Sequence, residues 1–309
     1  MLNLPAHGAD SMNMTDERFL AGLRAELQLH SAVSRELSNG ADISVLRVGS
    51  SVSDGAAIFK IGKSYILHLS SESFPNVAGE EVAAMWHAKE IIGLQLSGPI
   101  LDIVATGWFR GRSYFVVPFA SSFSRNRFYY AVQKRLVRKE VLDWLRGLAL
   151  ISSNVVAGDV DVYLSNLDFL KRTMNGCAGI GEDIDVAMAL LKNNEVKPSH
   201  IPMHSDLWIG NVMRKKNGEL AIIDWGGFES RGYPLFDLVR FAESVGMTKS
   251  SLKTEIVEHL SILRQPPYAA PTLLLSGLGH IAQNLGEFPV KRFQILVETS
   301  VRQLTVAFN

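Results

Sequence analysis

Four polar residues that could do chemistry lie close together in the chain: His204, Asp206, Asn211 and Asp224. The first three belong to HSDLWIGN, and the last ends the apolar run AIID. Two short β-like segments, NVMRK and ELAIID, flank the turn at Asn217-Gly218, and a hairpin there would bring Asn211 and Asp224 together. An amide oxygen and a carboxylate are hard ligands suited to Mg²⁺. The spacing therefore predicts a metal site, with Asp206 able to face an incoming hydroxyl and His204 able to hold the loop by hydrogen bonds.

This set of residues matches the division of labour in kinase phosphoryl transfer, where one loop Asp faces the hydroxyl while an Asn and a second Asp hold the metal. The pattern H-x-D-x-x-x-x-N, followed by IIDW and then RGYPLFDLVRF, resembles the aminoglycoside phosphotransferase and choline kinase family. The matching residues are His204, Asp206, Asn211, Asp224, Gly232, Pro234 and Asp237. The resemblance implies an α+β, bilobal, protein-kinase-like fold, with a small β-rich N-lobe at 1–119 and a larger, mainly helical C-lobe at 120–309.

The resemblance also implies roles for individual residues. The catalytic residues would be Asp206, as the base, and His204. Asn211 and Asp224 would hold Mg²⁺. Asp237 would be a structural acid that pins the catalytic segment, although an ordinary carboxylate at a helix start is an equal alternative.

Nucleotide-binding positions follow from the same resemblance, with ATP or GTP as co-substrate. The stretch VGSSVSDGA, with Ser50 and Ser51, falls where a loop should cover the phosphates, and its small residues would let backbone N–H groups approach phosphate oxygens. Val117 and Phe119 fall in the expected hinge, where backbone groups would hold the adenine. Pro118 between them has no N–H to offer.

One position departs from the pattern. The third strand of this fold normally carries a Lys that contacts the phosphates and pairs with a Glu on the next helix. That Glu is Glu80 or Glu81, and Glu81 is favoured because Val82, Met85 and Trp86 then take the apolar face. The sequence has His68 at the lysine position. A Glu partner would raise the pKa of such a histidine. Three interpretations follow: His68 replaces the lysine, or Lys60 or Lys63 reaches the site instead, or the protein binds nucleotide poorly.

Composition narrows the class of protein. A chain of 309 residues is long enough for two lobes, and its formal net charge of zero gives no steering toward nucleic acid or an anionic membrane. The single cysteine, Cys177, excludes an intramolecular disulfide framework. No run reaches the roughly 18 apolar residues of a membrane span, and the N-terminus lacks the pattern of a signal peptide. We expect a cytoplasmic protein.

Hydrophobic periodicity supplies the elements that must position these residues. The expected helices are 15–38, 79–96, 128–151, one or two within 160–195, and a helical tail over 235–309 that is broken at Pro266-Pro267. The expected strands of the N-lobe are 43–49, 56–61, 64–70, 101–107 and 113–119.

The favoured function is Mg²⁺-dependent transfer of a γ-phosphoryl group to a hydroxyl of a small molecule such as an amino alcohol, a sugar or an aminoglycoside. A pseudokinase-like nucleotide-binding or regulatory scaffold is the alternative, because of His68. Nucleotidyl transfer is a third possibility that no residue demands. Acidic residues at 159–168 and 182–185 would suit an amine-bearing acceptor, or form a solvated helix face.

Overall fold

The computed structural model describes residues 16–48, 55–123, 127–152, 158–177, 179–286 and 288–308. The chain divides into two units, one comprising Met1–Glu80 and Asp102–Phe119, the other Glu81–Leu101 and Ala120–Asn309. The border at 119/120 coincides with the lobe boundary expected from the sequence. The segment 81–101, which the sequence analysis placed in the first lobe, packs with the second unit.

The first unit contains two helices and a five-stranded antiparallel sheet of order β1-β2-β3-β5-β4. A third helix begins in this unit and continues into the second. The elements are α1 (Glu17–Leu27), α2 (Ser31–Ser38), β1 (Ile43–Arg47), β2 (Ala57–Ile61), β3 (Tyr65–Leu69), α3 (Val77–Ile92), β4 (Ala105–Phe109) and β5 (Arg112–Pro118).

Several expected elements of this region have different bounds in the structure, and two of the differences have an identifiable cause. The helix predicted over 15–38 is split into α1 and α2, because His30 adopts an extended conformation and its Nε2 bonds the Tyr114 hydroxyl at 2.8 Å. The strand predicted over 101–107 begins only at Ala105. The chain just before it is engaged elsewhere, since Ile100 pairs with Ile222 in the second unit.

The two faces of the five-stranded sheet differ in chemistry. On one face, side chains such as Phe59, Leu67 and Val116 are buried in a core with α1 and α2. Alternation along the strands places His68, and its cross-strand neighbours Ile58 and Phe115, on the other face. The sheet therefore buries one face in the core with α1 and α2, and its opposite face carries His68.

The second unit is mainly helical, with two small antiparallel sheets of order β6-β8-β9 and β10-β7. Its elements are β6 (Ala120–Ser121), α4 (Arg127–Ser152), α5 (Val160–Thr173), α6 (Ile180–Lys192), β7 (Ile201–Met203), β8 (Val212–Lys215), β9 (Leu220–Ile222), β10 (Glu229–Gly232), α7 (Phe236–Ser244), α8 (Lys249–Ile262), α9 (Ala270–Gln283) and α10 (Val290–Phe308).

The small sheets position the polar residues of the HSDLWIGN segment. The strand β7 leads directly into His204, and the hairpin β8–β9 joins the regions of Asn211 and Asp224. The strand β10 pairs with β7 and delivers the chain to α7. Among the described helices, none is both long enough and apolar enough to cross a membrane.

Candidate functional site

The loop after β7 is anchored by a buried carboxylate. Asp237, in the first turn of α7, is only 3% exposed, and its two oxygens accept the backbone N–H groups of His204 at 2.6 Å and Ser205 at 3.1 Å. Burial raises the pKa of Asp237 to about 7, and the His204 N–H and Arg240 act in the opposite direction. The side chain thus joins the start of the loop to α7.

His204 is a second anchor of the same loop. Its Nε2 must donate to the Ile223 carbonyl at 3.0 Å, since that oxygen can only accept, and its Nδ1 accepts the Asp206 N–H at 3.3 Å. Burial lowers the pKa of His204 to about 4, so the ring is neutral near pH 7. Both ring nitrogens are therefore occupied by backbone groups. This geometry matches the loop-holding role and gives His204 no free nitrogen for the catalytic role also expected of it.

Asp206 presents its carboxylate between two donors. Arg240 Nε donates to Oδ1 at 3.1 Å, and Arg240 Nη2 bonds the same oxygen. The Asn211 amide donates to Oδ2 at 3.0 Å and also to the Asp206 carbonyl at 2.9 Å. The Asp206 side chain is 41% exposed, so the carboxylate is fixed in orientation and still reachable from solvent.

Arg240 contacts Asp206 in this site and is a residue that the sequence did not single out. It lies three residues after Asp237 on α7, and residues at this spacing share one face of a helix. The buried acid and the arginine therefore act on the same loop, one through backbone N–H groups and the other through the Asp206 carboxylate. The spacing D-x-x-R in FDLVRF was the available sequence signal.

Asn211 and Asp224 lie at the adjacent ends of the β8–β9 hairpin. Val212 pairs with Ile222, and the Ile223 N–H donates to the Asn211 carbonyl at 3.0 Å. Because the Asn211 amide nitrogen is used by Asp206, its side-chain oxygen is the atom left for a ligand. Asp224 has a φ of 68°, a left-handed conformation that non-glycine residues seldom adopt.

Glu81 of α3 lies near enough to Asp224 for the two carboxylates to interact. Burial, and then the negative charge of Asp224, raise the pKa of Glu81 to about 7, and a hydrogen bond from the Trp225 backbone opposes both effects. Within the described part of the chain, no three His, Cys, Asp or Glu side chains are grouped as metal ligands. Any metal held by this site would thus need an amide oxygen or non-protein ligands as well.

In the first unit, the ring of His68 stacks on Phe115, with ring centres 4.5 Å apart and planes inclined by 13°. Burial, and then the nearby charge of Arg47, lower the pKa of His68 to about 4. The shift is opposite to the one expected from a Glu partner. His68 is therefore neutral near pH 7, unlike the lysine that the resemblance leads one to expect at this position.

The two candidate lysines differ in placement. Lys60 follows Ile58 by two residues on β2, so it projects from the same sheet face as His68, and its Nζ lies 4.9 Å from the Phe119 ring centre. Lys63 is exposed in the turn between β2 and β3. Of these two lysines, only Lys60 therefore lies on the same face of the sheet as His68.

In the segment expected to form the hinge, one backbone N–H group is already used in a hydrogen bond within the first unit. Val117 lies within β5 opposite Ile66. The Phe119 N–H already donates to the Ser64 carbonyl at 2.7 Å, which leaves its carbonyl as the group available to a base. Ser50 and Ser51, the expected phosphate-covering residues, lie outside the described residues.

Comparison of the chain with known proteins identifies its fold. No protein-family model and no curated protein sequence matches the chain. A choline/ethanolamine kinase family protein from Mesorhizobium loti matches with a TM-score of 0.51 at 15% identity, over 92% of this chain and 93% of that one. The chain has the fold of choline kinases and aminoglycoside phosphotransferases.

Two further solved structures with the same kinase-like fold also match the chain. A thermostable mutant of the aminoglycoside phosphotransferase APH(4)-Ia, in a ternary complex with ADP and hygromycin B, gives a TM-score of 0.55 at 13% identity, over 90% of this chain and 98% of that one. The choline kinase LicA from Streptococcus pneumoniae gives 0.50 at 11% identity, over 91% and 99%. The expected α+β, protein-kinase-like fold class is confirmed.

Ser205 offers a test of strain in this loop. Its φ is 71°, and among the described residues its buried hydroxyl has no hydrogen-bond partner. Glycine would relieve the strained backbone and remove the unpaired hydroxyl, so we expect Ser205→Gly to stabilise the protein by about 1 kcal/mol. That gain corresponds to a rise in Tm of about 2 °C by calorimetry. Ser205→Ala keeps the Cβ and removes only the hydroxyl. It should give a smaller gain, and an equal gain would exclude backbone strain as the cause.

The lowered pKa of His204 predicts that the stability of the protein depends on pH. A histidine whose folded pKa is lowered to about 4 from 6.5 leaves the unfolded chain binding more protons between those values. The free energy of unfolding should therefore fall as the pH drops from 6.5 toward 4. The wild type should lose on the order of 3 kcal/mol more than His204→Gln, as measured by urea unfolding at pH 7 and pH 4.5. Parallel losses in the two proteins would show that His204 does not titrate in this way.

Proposed function

We propose that the protein transfers the γ-phosphoryl group of ATP or GTP to a hydroxyl of a small molecule. The observation that carries this proposal is the Asp206 carboxylate, which is reachable from solvent, fixed by Arg240 and Asn211, and close in the chain to the Asn211–Asp224 pair. The fold supports it, since similar structures are described as choline kinases and aminoglycoside phosphotransferases, one of them with ADP bound.

In the proposed reaction Asp206 is the catalytic base. The acceptor oxygen forms a bond to the γ-phosphorus, the bond from that phosphorus to the β–γ bridging oxygen breaks, and the nucleoside diphosphate leaves. The proton of the acceptor hydroxyl passes to Asp206. Arg240 and Asn211 hold the carboxylate in one orientation before the acceptor arrives, which reduces the entropy lost in reaching the reactive geometry.

Asn211 and Asp224 are the proposed Mg²⁺ ligands. The donor set fits, because the Asn211 amide nitrogen faces Asp206 and leaves its oxygen for a cation, and the Asp224 carboxylate is a hard oxygen ligand. Two protein ligands leave coordination positions for water and phosphate oxygens. When bound, the ion would supply positive charge to the phosphate oxygens of the nucleotide.

The contribution of the first unit to phosphate binding is proposed to come from the sheet face that carries His68 and Lys60. A neutral imidazole can donate one hydrogen bond to a phosphate oxygen, whereas a lysine ammonium adds a full positive charge. The lowered pKa of His68 therefore favours Lys60 as the cationic group. The proposed adenine contacts are backbone groups around Val117 and the Phe119 carbonyl.

The scaffold alternative rests on the same observation. A neutral His68 would weaken nucleotide binding if no other cation replaced the missing lysine. The protein would then use the kinase-like fold for regulation or binding. Against this stands the arrangement of Asp206, Asn211 and Arg240, which a scaffold has no need to maintain.

The roles of the two aspartates can be separated by substitution. Asp206→Asn should reduce phosphoryl transfer by about 10²–10⁴-fold, because the base is lost, and leave binding of Mg-ATP within a few-fold of wild type. Asp224→Asn should instead weaken Mg²⁺-dependent nucleotide binding. Transfer is measured by release of ADP over a panel of hydroxyl compounds, and binding is measured by calorimetry.

A matched control for these variants is Asp42→Asn, since Asp42 is an exposed acid whose side chain faces Arg24 at 3.9 Å. It should leave transfer and binding unchanged. Full transfer by Asp206→Asn would refute the catalytic assignment. Unchanged Mg²⁺-dependent binding by Asp224→Asn would refute the metal assignment.

Nucleotide binding by wild type and His68→Lys decides between enzyme and scaffold. We expect wild type to bind ATP in a Mg²⁺-dependent manner, and the lysine variant to bind it more tightly by up to about tenfold, because it adds a charge. Calorimetry with and without Mg²⁺ measures both. Absence of binding by wild type, with binding gained in His68→Lys, would support the scaffold in place of the enzyme.

A further inference from the structure

A cavity of about 400 Å³ lies beside the catalytic loop within the second unit. Its walls come from Trp208 in the loop, from α7 and from α10. Arg240 is one of the wall residues, and the same guanidinium bonds the Asp206 carboxylate. The cavity is therefore linked to the proposed base through Arg240, and its volume falls in the range typical of small-molecule sites.

The walls include large apolar side chains that are partly exposed to solvent. Trp208 is 42% exposed, Phe288 46% and Ile295 62%. Single exposed apolar residues are common, but three that line one cavity form a surface that gains free energy when an apolar group covers it. The cavity thus favours an occupant with an apolar part.

The charged wall residues, taken together with Asp206 outside the wall, carry no net charge. Arg240 is compensated by Asp206. Of the other wall residues, Glu243 and Arg292 are ionisable, and neither forms a side-chain hydrogen bond or ion pair with another residue that the structure describes. Glu243 and Arg292 thus leave one negative and one positive charge on the wall for a ligand to pair with. The cavity therefore offers no excess negative charge to a polycation.

We propose that this cavity receives the phosphoryl acceptor, and that the acceptor is a hydroxyl compound with an apolar body and no net charge. A zwitterion fits best, with its ammonium toward Glu243, its carboxylate toward Arg292 and its apolar part against Trp208 and Ile295. This inference rests on the proposed function only for the transfer step, in which the acceptor oxygen bonds the γ-phosphorus, the nucleoside diphosphate leaves and the proton passes to Asp206. Binding of the acceptor in the cavity does not depend on the transfer step and can be measured separately.

Binding without nucleotide tests the cavity directly. The probes are 3-phenylserine, a zwitterion with a hydroxyl and a phenyl group; serine, which lacks the phenyl group; and kanamycin, a polycation with hydroxyls. Calorimetry and saturation-transfer NMR should show 3-phenylserine binding at least about tenfold more tightly than serine, since covering apolar surface contributes on the order of one factor of ten. Kanamycin should bind more weakly than 3-phenylserine.

A substitution on the cavity wall supplies the matched comparison. Ile295→Asp places a charge on the apolar wall and should weaken 3-phenylserine binding by about tenfold. Val186→Asp is the control, because Val186 is 60% exposed on α6 and is not part of the wall. It should leave binding unchanged.

Three results would overturn the inference: equal binding of 3-phenylserine and serine, tighter binding of kanamycin, or no effect of Ile295→Asp. ADP release in the presence of Mg-ATP and each probe reports separately on the proposed function. Binding of 3-phenylserine with no transfer to any hydroxyl compound would contradict the kinase activity and support the cavity's ligand class. Transfer to kanamycin alone would support the kinase activity and contradict that class.

Discussion

The arrangement of the site depends on one buried carboxylate that accepts backbone N–H groups. Asp237 receives the N–H groups of His204 and Ser205, and a buried N–H without a partner would be costly. Because the acid lies in the first turn of α7, the start of the loop is fixed relative to a helix rather than to another loop. Further along the loop, Ser244 at the end of the same helix accepts the Ile209 N–H at 2.9 Å. One helix therefore holds the loop on both sides of Asp206.

That anchoring lets the chain maintain conformations that it would otherwise avoid. Ser205 and Asp224 both have φ near 70°, and each costs free energy that surrounding bonds must offset. One strained residue directly precedes Asp206, and the other is Asp224, which is proposed as a metal ligand. His204 links these two regions, since its ring bonds the Ile223 carbonyl on one side and the Asp206 N–H on the other. The strain thus accompanies a definite orientation of the two carboxylates.

The sequence was most informative where short-range pattern and chemistry coincided. The hairpin around Asn217-Gly218, and with it the proximity of Asn211 and Asp224, could be predicted because turn residues and strand periodicity determine such contacts locally. The contact between Arg240 and Asp206 spans 34 residues, and no local propensity encodes it. The break between α1 and α2 was missed for a similar reason, since it depends on the distant partner of His30, Tyr114.

The electrostatics of His68 needed the structure for another reason. The sequence led us to expect that a Glu partner would raise the pKa of His68, but the outcome depends on the balance between burial and neighbouring charges, which lowers it. The pairing of β7 with β10, two strands of three and four residues, was likewise absent from the sequence-based elements because so few residues carry no periodicity. Short strands and pKa values are both set by tertiary surroundings.

The bonds that hold the loop form a frame. They can be distinguished from the side chains that could select a ligand by the chemical groups that they involve. The frame relies mostly on bonds to backbone N–H and C=O groups, made by Asp237, His204 and the Asn211 side chain. Backbone groups are the same whatever residues surround them, so such a frame tolerates extensive change elsewhere, in keeping with a fold shared at only 11–15% identity. Side chains outside the frame, such as Trp208 and Ile295, are not constrained by these bonds. Under the proposed function, differences in acceptor would arise from side chains such as these, while the orientation of Asp206 stays fixed.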